Sequence, residues 1–222
     1  SCVHPAWSDA VKQLSPVEVR AQSENLIGIA AAGSEGVVSS QRLGAVPLLR
    51  PGEALEMVPG LIVTQHAGDG KANQYFLRGF NLDHGTDFAT FVSGVPVNMP
   101  THAHGQGYTD LNFLIPELVD QVRFRKGPYF ADGGDFSSAG AAHIDYLRKL
   151  DGTLGQATRG QHGYARSLVA GSPEVGSGHL LYGFEWFHND GPWVVQERYR
   201  KLNGVLSYTP GSRNDGFALT AM

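Results

Sequence analysis

The sequence is poor in cysteine, in positive charge and in long apolar runs, and each shortage excludes a class of protein. With one cysteine, Cys2, the chain of 222 residues cannot form an internal disulfide. Its net charge of -4 lacks the basic excess that is typical of nucleic-acid-binding domains, so no nucleic-acid partner is expected. The longest apolar run, residues 26–32, falls far short of the roughly 20 residues that a membrane-spanning helix needs.

Glycine and aromatic residues are abundant instead, and they favour a β-rich protein. The chain holds 29 glycines, and Phe, Trp and Tyr make up 10% of it. Short runs rich in β-branched and aromatic residues begin at residue 61 and are divided by Gly, Pro, Asn and Asp; they cover residues 61–65, 74–78, 88–93 and 119–125. We therefore predict a small mixed α+β domain over residues 41–150.

Residues 151–222 follow a different pattern, in which apolar and polar residues alternate over longer segments. One face of the segment 179–188 gathers bulky apolar groups, namely Leu180, Tyr182, Phe184 and Trp186. Glu185 falls on the opposite face. Such strands suit a membrane barrel, with lipid on one side and a lumen on the other. A soluble β-sandwich would show similar alternation, so that alternative stays open.

The N-terminal segment carries two signals and little sign of a packed core. Ala6 and Ser8 stand like the small residues before a signal-peptidase site, so residues 1–8 are interpreted as the remnant of a signal peptide, with a disordered N-terminus as the alternative. Residues 9–40 are predicted to be flexible. They contain one extended, alternating hexapeptide that could add to the edge of another protein's sheet or form an ordinary first strand: Val17, Glu18, Val19, Arg20, Ala21 and Gln22.

No arrangement of residues predicts an enzyme. The segment 68–71 is similar to a phosphate-binding loop, but Gln65 stands where that motif needs its first glycine and Ala72 where it needs Ser or Thr. Cys2 lies far from any pair of histidines, so a cysteine nucleophile is not supported. No acid and base residues stand at a spacing that indicates catalysis.

Histidines supply the best candidate ligands. His102 and His104 form a His-x-His pair that could present two imidazoles to one metal ion, with Met99 as a soft donor nearby and with His66 and His84 upstream. The alternative is a set of loop histidines that form hydrogen bonds to the backbone or to water.

Five motifs in a fixed order give the sequence a family resemblance. They are Leu55 with Val58-Pro59-Gly60-Leu61-Ile62-Val63, then Phe76-Leu77-Arg78-Gly79-Phe80, Gly94-Val95-Pro96-Val97, Ile115-Pro116-Glu117-Leu118-Val119 and Val122-Arg123-Phe124-Arg125-Lys126-Gly127-Pro128. In this order the chain resembles the plug domain of TonB-dependent outer-membrane receptors. Two departures, Ser93 in place of the usual Asp and the altered stretch 139–144, should change local hydrogen bonding more than the fold.

The resemblance implies an architecture and a location. It implies an α+β plug followed by the first antiparallel strands of a transmembrane β-barrel in a Gram-negative outer membrane, with the plug toward the periplasm and the lumen. The residues after 150 suffice for roughly four to five strands, against about 22 in a complete outer-membrane transporter. We therefore expect residues 151–222 to form part of a barrel, and the chain to be a fragment.

The resemblance also implies partners and site residues. It implies TonB and its inner-membrane energising complex as partners, with Val17 to Gln22 as the TonB box. It implies outer-membrane lipid around the barrel and no resident cofactor. The ligand would be a ferric siderophore or another small ligand that meets the loop from Met99 through His102 and His104 to Tyr108. Three plug arginines would contact acidic residues of the barrel wall, with Glu185 as a partner, or would be exposed to solvent: Arg78, Arg123 and Arg125.

Two other functions stay open. One is an outer-membrane sensor that binds a ligand and transmits a signal, which would need an additional signalling domain. The other is a soluble β-rich protein that binds a metal or catalyses hydrolysis.

Overall fold

The computed structural model describes residues 29–211 and 219–221, and most of its regular secondary structure is β-strand. The first part of the chain forms β1 (Ile29–Ala32), β2 (Glu35–Ser39), α1 (Ser40–Gly44), β3 (Leu61–Thr64), β4 (Gln74–Leu77), β5 (Phe80–Asn81), β6 (Phe88–Val92), β7 (Val95–Pro96), β8 (Val119–Lys126) and β9 (Gly140–Tyr146). The second part forms β10 (Leu154–Arg159), β11 (Ala165–Gly171), β12 (Glu174–Val175), β13 (Gly178–Asn189), β14 (Tyr199–Thr209) and β15 (Leu219–Ala221).

Helical segments are few and short. Besides α1, there are three 3₁₀ helices, at Pro51–Met57, Pro116–Leu118 and Ala131–Gly133. In the part of the chain that the structure describes, no helix has the length and apolar character needed to cross a bilayer.

The first part of the chain, which we call the central domain, is built on a mixed six-stranded sheet. Its strand order is β1-β2-β8-β9-β6-β7, and β6 and β9 are the parallel pair. Strand β8 alternates as its sequence predicts, with Val122 and Phe124 buried and Arg123 exposed. A smaller antiparallel sheet, β3-β4-β5, lies beside it.

One of the two departures from the family motifs lies in the hairpin between β6 and β7. Ser93 and Gly94 form its two-residue turn, and both adopt positive φ, 48° and 80°. Tight hairpins favour such conformations because their twist matches that of the strands. A short polar residue such as Ser or Asp tolerates the first position better than a branched one, so the departure leaves the turn intact.

The prediction that residues 9–40 are flexible is wrong for the end of that segment, which forms strands. Its described part forms β1 and β2, and β2 pairs along its whole length with β8. Val38 is fully buried there, opposite Val122. The run Glu35–Ser39 is short and contains glycine, so its sequence pattern is too weak to predict a strand that tertiary pairing creates.

The second part of the chain forms the antiparallel second sheet, with strand order β10-β11-β13-β14-β15 and with β12 added to β13. Leu168, Leu181 and Val205 on its inner face join the same apolar core as Leu118 of the central domain. The two layers approach closely at Gly183, because a methyl group added there would overlap the side chain of Leu118. The second sheet therefore packs directly against the central domain.

The outer face of the second sheet is apolar and exposed. Phe184 and Trp186 of β13 are 51% and 42% exposed, and Leu202 of β14 is 81% exposed. Trp186 and Leu202 are cross-strand neighbours, so they share this face. The predicted fold class is confirmed in these terms: a small mixed domain is followed by amphipathic antiparallel strands.

Candidate functional site

Four histidines converge at one end of the central domain, where we define the histidine cluster as His66, His84, His102 and His104. They come from three separate loops. The rings of His84 and His104 meet edge to face with centroids 4.3 Å apart, and the ring of His66 lies 5.0 Å from that of His84. The ring of His102 stacks on Tyr108 at 3.9 Å. Tyr108 therefore lies beside three of the four rings, those of His84, His102 and His104.

The loop that carries His102 and His104 is closed at its base by backbone pairing. The N–H of Met99 donates to the carbonyl of Tyr108 at 2.9 Å, and the N–H of Gly107 donates to the carbonyl of Met99 at 2.8 Å. The hydroxyl of Tyr108 accepts a hydrogen bond from the N–H of Ala72. These bonds fix the loop against the segment that carries His66.

A buried asparagine holds the loop to the sheet below it. The amide nitrogen of Asn98 donates to the carbonyls of Gly85, Phe88 and Gly107, and its oxygen accepts from the N–H of Thr90. Asn98 is 8% exposed, so all of these bonds are shielded from water. The Met99 to Tyr108 loop is therefore a fixed part of the structure.

His84 is the anchored member of the cluster. It is 2% exposed, and its Nδ1 lies 2.9 Å from the carbonyl oxygen of Asn73. A carbonyl can only accept, so Nδ1 carries the hydrogen and Nε2 keeps its lone pair. Nε2 lies 3.7 Å from Oδ1 of Asp83. Burial lowers the pKa of His84, despite the opposing effects of the Asn73 carbonyl and Asp83, so the ring is neutral at neutral pH.

His104 is brought together with His84 and Asp83, one ligand atom from each lying within 4.8 Å of the others. His102 has a different place, because its Nδ1 accepts a hydrogen bond from the backbone N–H of His104 at 3.1 Å while its ring lies on Tyr108. The sequence predicted His102 and His104 as the metal-binding pair. The structure instead pairs His104 with His84, which lies twenty residues earlier in the chain.

Sequence reasoning missed Asp83. Asp83 and His84 are adjacent in the chain, and nothing in the local spacing connects them to His104. One signal could have indicated Asp83, namely the turn chemistry of Asn81, which lies between two strand-like runs. The side chain of Asn81 accepts a hydrogen bond from the N–H of Asp83. Such a turn places the two residues at the end of the domain, where loops gather.

A second polar cluster, the Arg166 network, lies between the central domain and the second sheet. Arg166 of β11 donates from Nη1 and Nη2 to the two carboxylate oxygens of Glu117, and from Nε to Glu185 at 2.6 Å. The other oxygen of Glu185 lies 2.9 Å from Nζ of Lys201 and accepts from Asn203 at 3.0 Å. Burial alone would raise the pKa of Glu117, but the hydrogen bonds and charge of Arg166 reverse that effect and lower it.

The predicted pairing of Glu185 with three arginines of the central domain is wrong. Arg123 pairs with Asp145 of the neighbouring strand at 3.0 Å, Arg125 pairs with Asp132 at 2.8 Å, and Arg78 is exposed. The physical reason is proximity. Arg123 and Arg125 each have an acidic residue on the adjoining strand or loop within salt-bridge distance. Glu185 is already paired with cations of its own sheet.

Polar contacts also fix which end of the second sheet lies beside the histidine cluster. The side chain of Asn189 donates to Asp69 at 2.6 Å, and the N–H of Asp69 donates to Glu197 at 3.0 Å. Asp69 follows His66 closely in the chain. The cluster therefore lies at the end of the second sheet that carries the connection 190–198. The hexapeptide from Val17 to Gln22 lies outside the described residues.

Comparisons with known proteins agree with this architecture. The family model of the TonB-dependent receptor plug domain matches residues 29–141. Among solved structures, the copper transporter OprC has a TM-score of 0.62 at 19% identity, over 84% of this chain and 29% of OprC. The siderophore receptor PiuA from Acinetobacter baumannii has a TM-score of 0.56 at 22% identity, over 81% of this chain and 24% of the receptor.

A third solved structure, the siderophore receptor PirA from Acinetobacter baumannii, has a TM-score of 0.54 at 14% identity, over 80% of this chain and 29% of PirA. At such identities these likenesses concern the fold. The chain spans roughly a quarter to a third of the length of these structures. Because the family model matches half of the chain, over the central sheet and its loops, this chain belongs to the TonB-dependent receptor plug domain family.

Proposed function

We propose that this chain supplies the plug and the adjoining barrel wall of a Gram-negative outer-membrane receptor, which takes up a scarce small ligand with energy delivered through TonB. The observation that carries the proposal is the arrangement of the second sheet. Its inner face packs against the central domain, while its outer face exposes Phe184, Trp186 and Leu202. An apolar face of this kind suits lipid. The inner face mixes apolar groups such as Leu181 with polar groups such as Glu185, which suits contact with a plug.

The proposed orientation places the connection 190–198 outside. This is the longest connection of the second sheet that lies wholly within the described residues, and outer-membrane barrels carry their longer loops on the outer side. Asn189 at this end of the second sheet contacts Asp69, which lies near the histidine cluster. In this orientation the loop from Met99 to Tyr108 therefore faces the outside, where a ligand arrives.

The TonB partner would act on the opposite side of the plug, through the segment from Val17 to Gln22. Among the described residues, strand β1, which follows this segment in the chain, is the edge strand of the central sheet and pairs with β2 alone. An edge hairpin has fewer contacts than an inner strand and opens at a lower cost in free energy. A pull on this segment would therefore disturb the plug locally before it disturbed the whole domain.

The cargo we propose first is a ferric siderophore, the class named for PiuA and PirA. A transition-metal ion is the second candidate, because the histidine cluster includes His102 and His104 of the loop that would face the ligand. Uptake assays of the intact receptor with a ferric catecholate siderophore and with Zn²⁺, each radioactively labelled, distinguish these cargoes. Uptake of neither probe would count against both.

Deleting residues 17–22 from the intact receptor tests the energising step. We expect ligand binding at the outer face to be unchanged and uptake to be abolished, because the plug keeps its fold and loses its attachment to TonB. Deletion of the equally long segment 9–14 is the control and should leave uptake intact. Continued uptake of the labelled siderophore without residues 17–22 would contradict the assignment.

A further inference from the structure

We propose that Asp83, His84 and His104 form a binding site for a borderline divalent transition-metal ion, Zn²⁺, Cu²⁺ or Ni²⁺, on the outward surface of the plug, with His66 as the nearest further donor. One ligand atom from each of the three residues lies within 4.8 Å of the others. Ligand atoms about 2.0–2.1 Å from a tetrahedral metal are separated by about 3.3 Å. A closure of about 1.5 Å by the exposed side chain of His104 therefore completes the site.

Two of the three ligands are already held in place. The Nδ1–H of His84 donates to the carbonyl of Asn73, which orients the ring so that Nε2 faces the site. Metal-binding histidines are commonly oriented by such a hydrogen bond from their other ring nitrogen. Asp83 is held by the side chain of Asn81, and its own carbonyl accepts from the N–H of Tyr75. The ion therefore meets a partly formed site, which reduces the loss of conformational entropy on binding.

His102 acts on this site through His104. Its Nδ1 accepts from the backbone N–H of His104, and its ring stacks on Tyr108. The nitrogen that could bind a metal through its lone pair is occupied in this arrangement, so His102 is a positioning residue. His66 stands on the other side of His84 with an exposed ring 5.0 Å away, from which it can approach as a fourth ligand.

The donor set selects the class of ion. Two imidazoles and one carboxylate suit Zn²⁺, Cu²⁺ and Ni²⁺, whereas Mg²⁺ and Ca²⁺ prefer oxygen ligands alone. The three residues come from two loops that the Asn98 and Tyr108 hydrogen bonds hold together, so the site depends on the folded plug.

The test is titration of the purified, metal-free intact receptor in detergent with Zn²⁺ by calorimetry, with Mg²⁺ as the comparison ion. We expect one Zn²⁺ per chain and at least a tenfold loss of affinity in Asp83→Asn and in His104→Asn. His162→Asn is the matched control, because His162 is also an exposed loop histidine outside the cluster, and its affinity should equal that of the wild type. Both His104 and His162 are exposed, so neither change should impair folding.

Wild-type affinity for Zn²⁺ in both Asp83→Asn and His104→Asn would overturn the site, and so would a wild-type receptor that binds Zn²⁺ no better than Mg²⁺. Metal binding is independent of the proposed function, while the role of the ion as cargo rests on it. Loss of Zn²⁺ binding with unchanged siderophore uptake would support the site and leave the proposed function in place. If both variants bind Zn²⁺ as tightly as the wild type and the receptor transports neither probe, these residues do not form the site and the proposed function is unsupported.

Discussion

The Arg166 network and the histidine cluster both gather polar groups from distant parts of the chain, but they differ in how completely those groups are paired. Both oxygens of Glu185 have partners, and Arg166 uses Nε, Nη1 and Nη2. Two carboxylates and two cations balance in charge. In the histidine cluster, Nε2 of His84 keeps a lone pair that no hydrogen bond from the described residues uses. A network in which every charged group is paired can thus join two layers. A cluster in which a donor atom keeps an unused lone pair is available to a ligand.

The largest expected effect is that of removing the centre of the saturated network. Arg166→Met leaves Glu185, which is 2% exposed, without its closest cation and Glu117 without its bidentate partner. Breaking a buried pair on one side costs about 3–5 kcal/mol. We expect the plug to detach from the second sheet at a lower urea concentration, measured by limited proteolysis of the receptor in detergent. Stability equal to that of the wild type would show that the Arg166 network does not hold the two layers together. Arg166→Met combined with Glu185→Gln and Glu117→Gln should recover part of the lost stability.

The second effect concerns the apolar contact beside that network. Gly183→Ala places a methyl group against Leu118, and overpacking of this kind costs about 1–3 kcal/mol. Gly204→Ala is the matched control, because Gly204 lies on the adjacent strand and an added methyl group there makes only ordinary contact with Phe184. The same proteolysis assay should show a shift for the first variant and none for the second. Equal shifts would mean that the layers do not pack at Gly183.

The third effect is a dependence on pH. The folded structure lowers the pKa of Glu117 below its ordinary value of 4.5, so the folded state binds fewer protons than the unfolded state in this range. The stabilisation is present above about pH 4.5 and is lost as the pH falls through the lowered pKa. Glu117→Gln should reduce stability at neutral pH and flatten its decline in acid, measured by urea unfolding at a series of pH values. An unchanged acid profile would show that Glu117 is not coupled to Arg166.

The smallest expected effect tests whether His102 is a positioning residue or a metal ligand. His102→Phe keeps an aromatic ring on Tyr108 but removes the Nδ1 that accepts the N–H of His104. Loss of one such hydrogen bond is worth about 0.5–1.5 kcal/mol, or about two- to tenfold in Zn²⁺ affinity. Calorimetry on the receptor should therefore find a smaller loss than for His104→Asn. A loss as large as that of His104→Asn would make His102 a ligand.

Some of the candidate site could be predicted from sequence, because some of its information is local. The loop from Met99 to Tyr108 was predicted to carry the donors, since His-x-His stands out at short range. His84 was named as an upstream candidate, but its pairing with His104 and the participation of Asp83 could not be predicted. Both depend on how the loops are brought together by the β3-β4-β5 sheet and by Asn98. Histidines twenty residues apart have no spacing rule of their own.

The order of the family motifs and the two faces of the second sheet can be read from the amino-acid sequence. Alternation places Glu185 opposite Phe184 and Trp186, because successive side chains of a strand point to opposite faces whatever the rest of the protein does. The contacts of Glu185 with Arg166, of Arg123 with Asp145 and of His104 with His84 arise only on folding. Which partner a charge or an imidazole finds depends on strand register and on packing between distant segments, and periodicity along the chain carries neither.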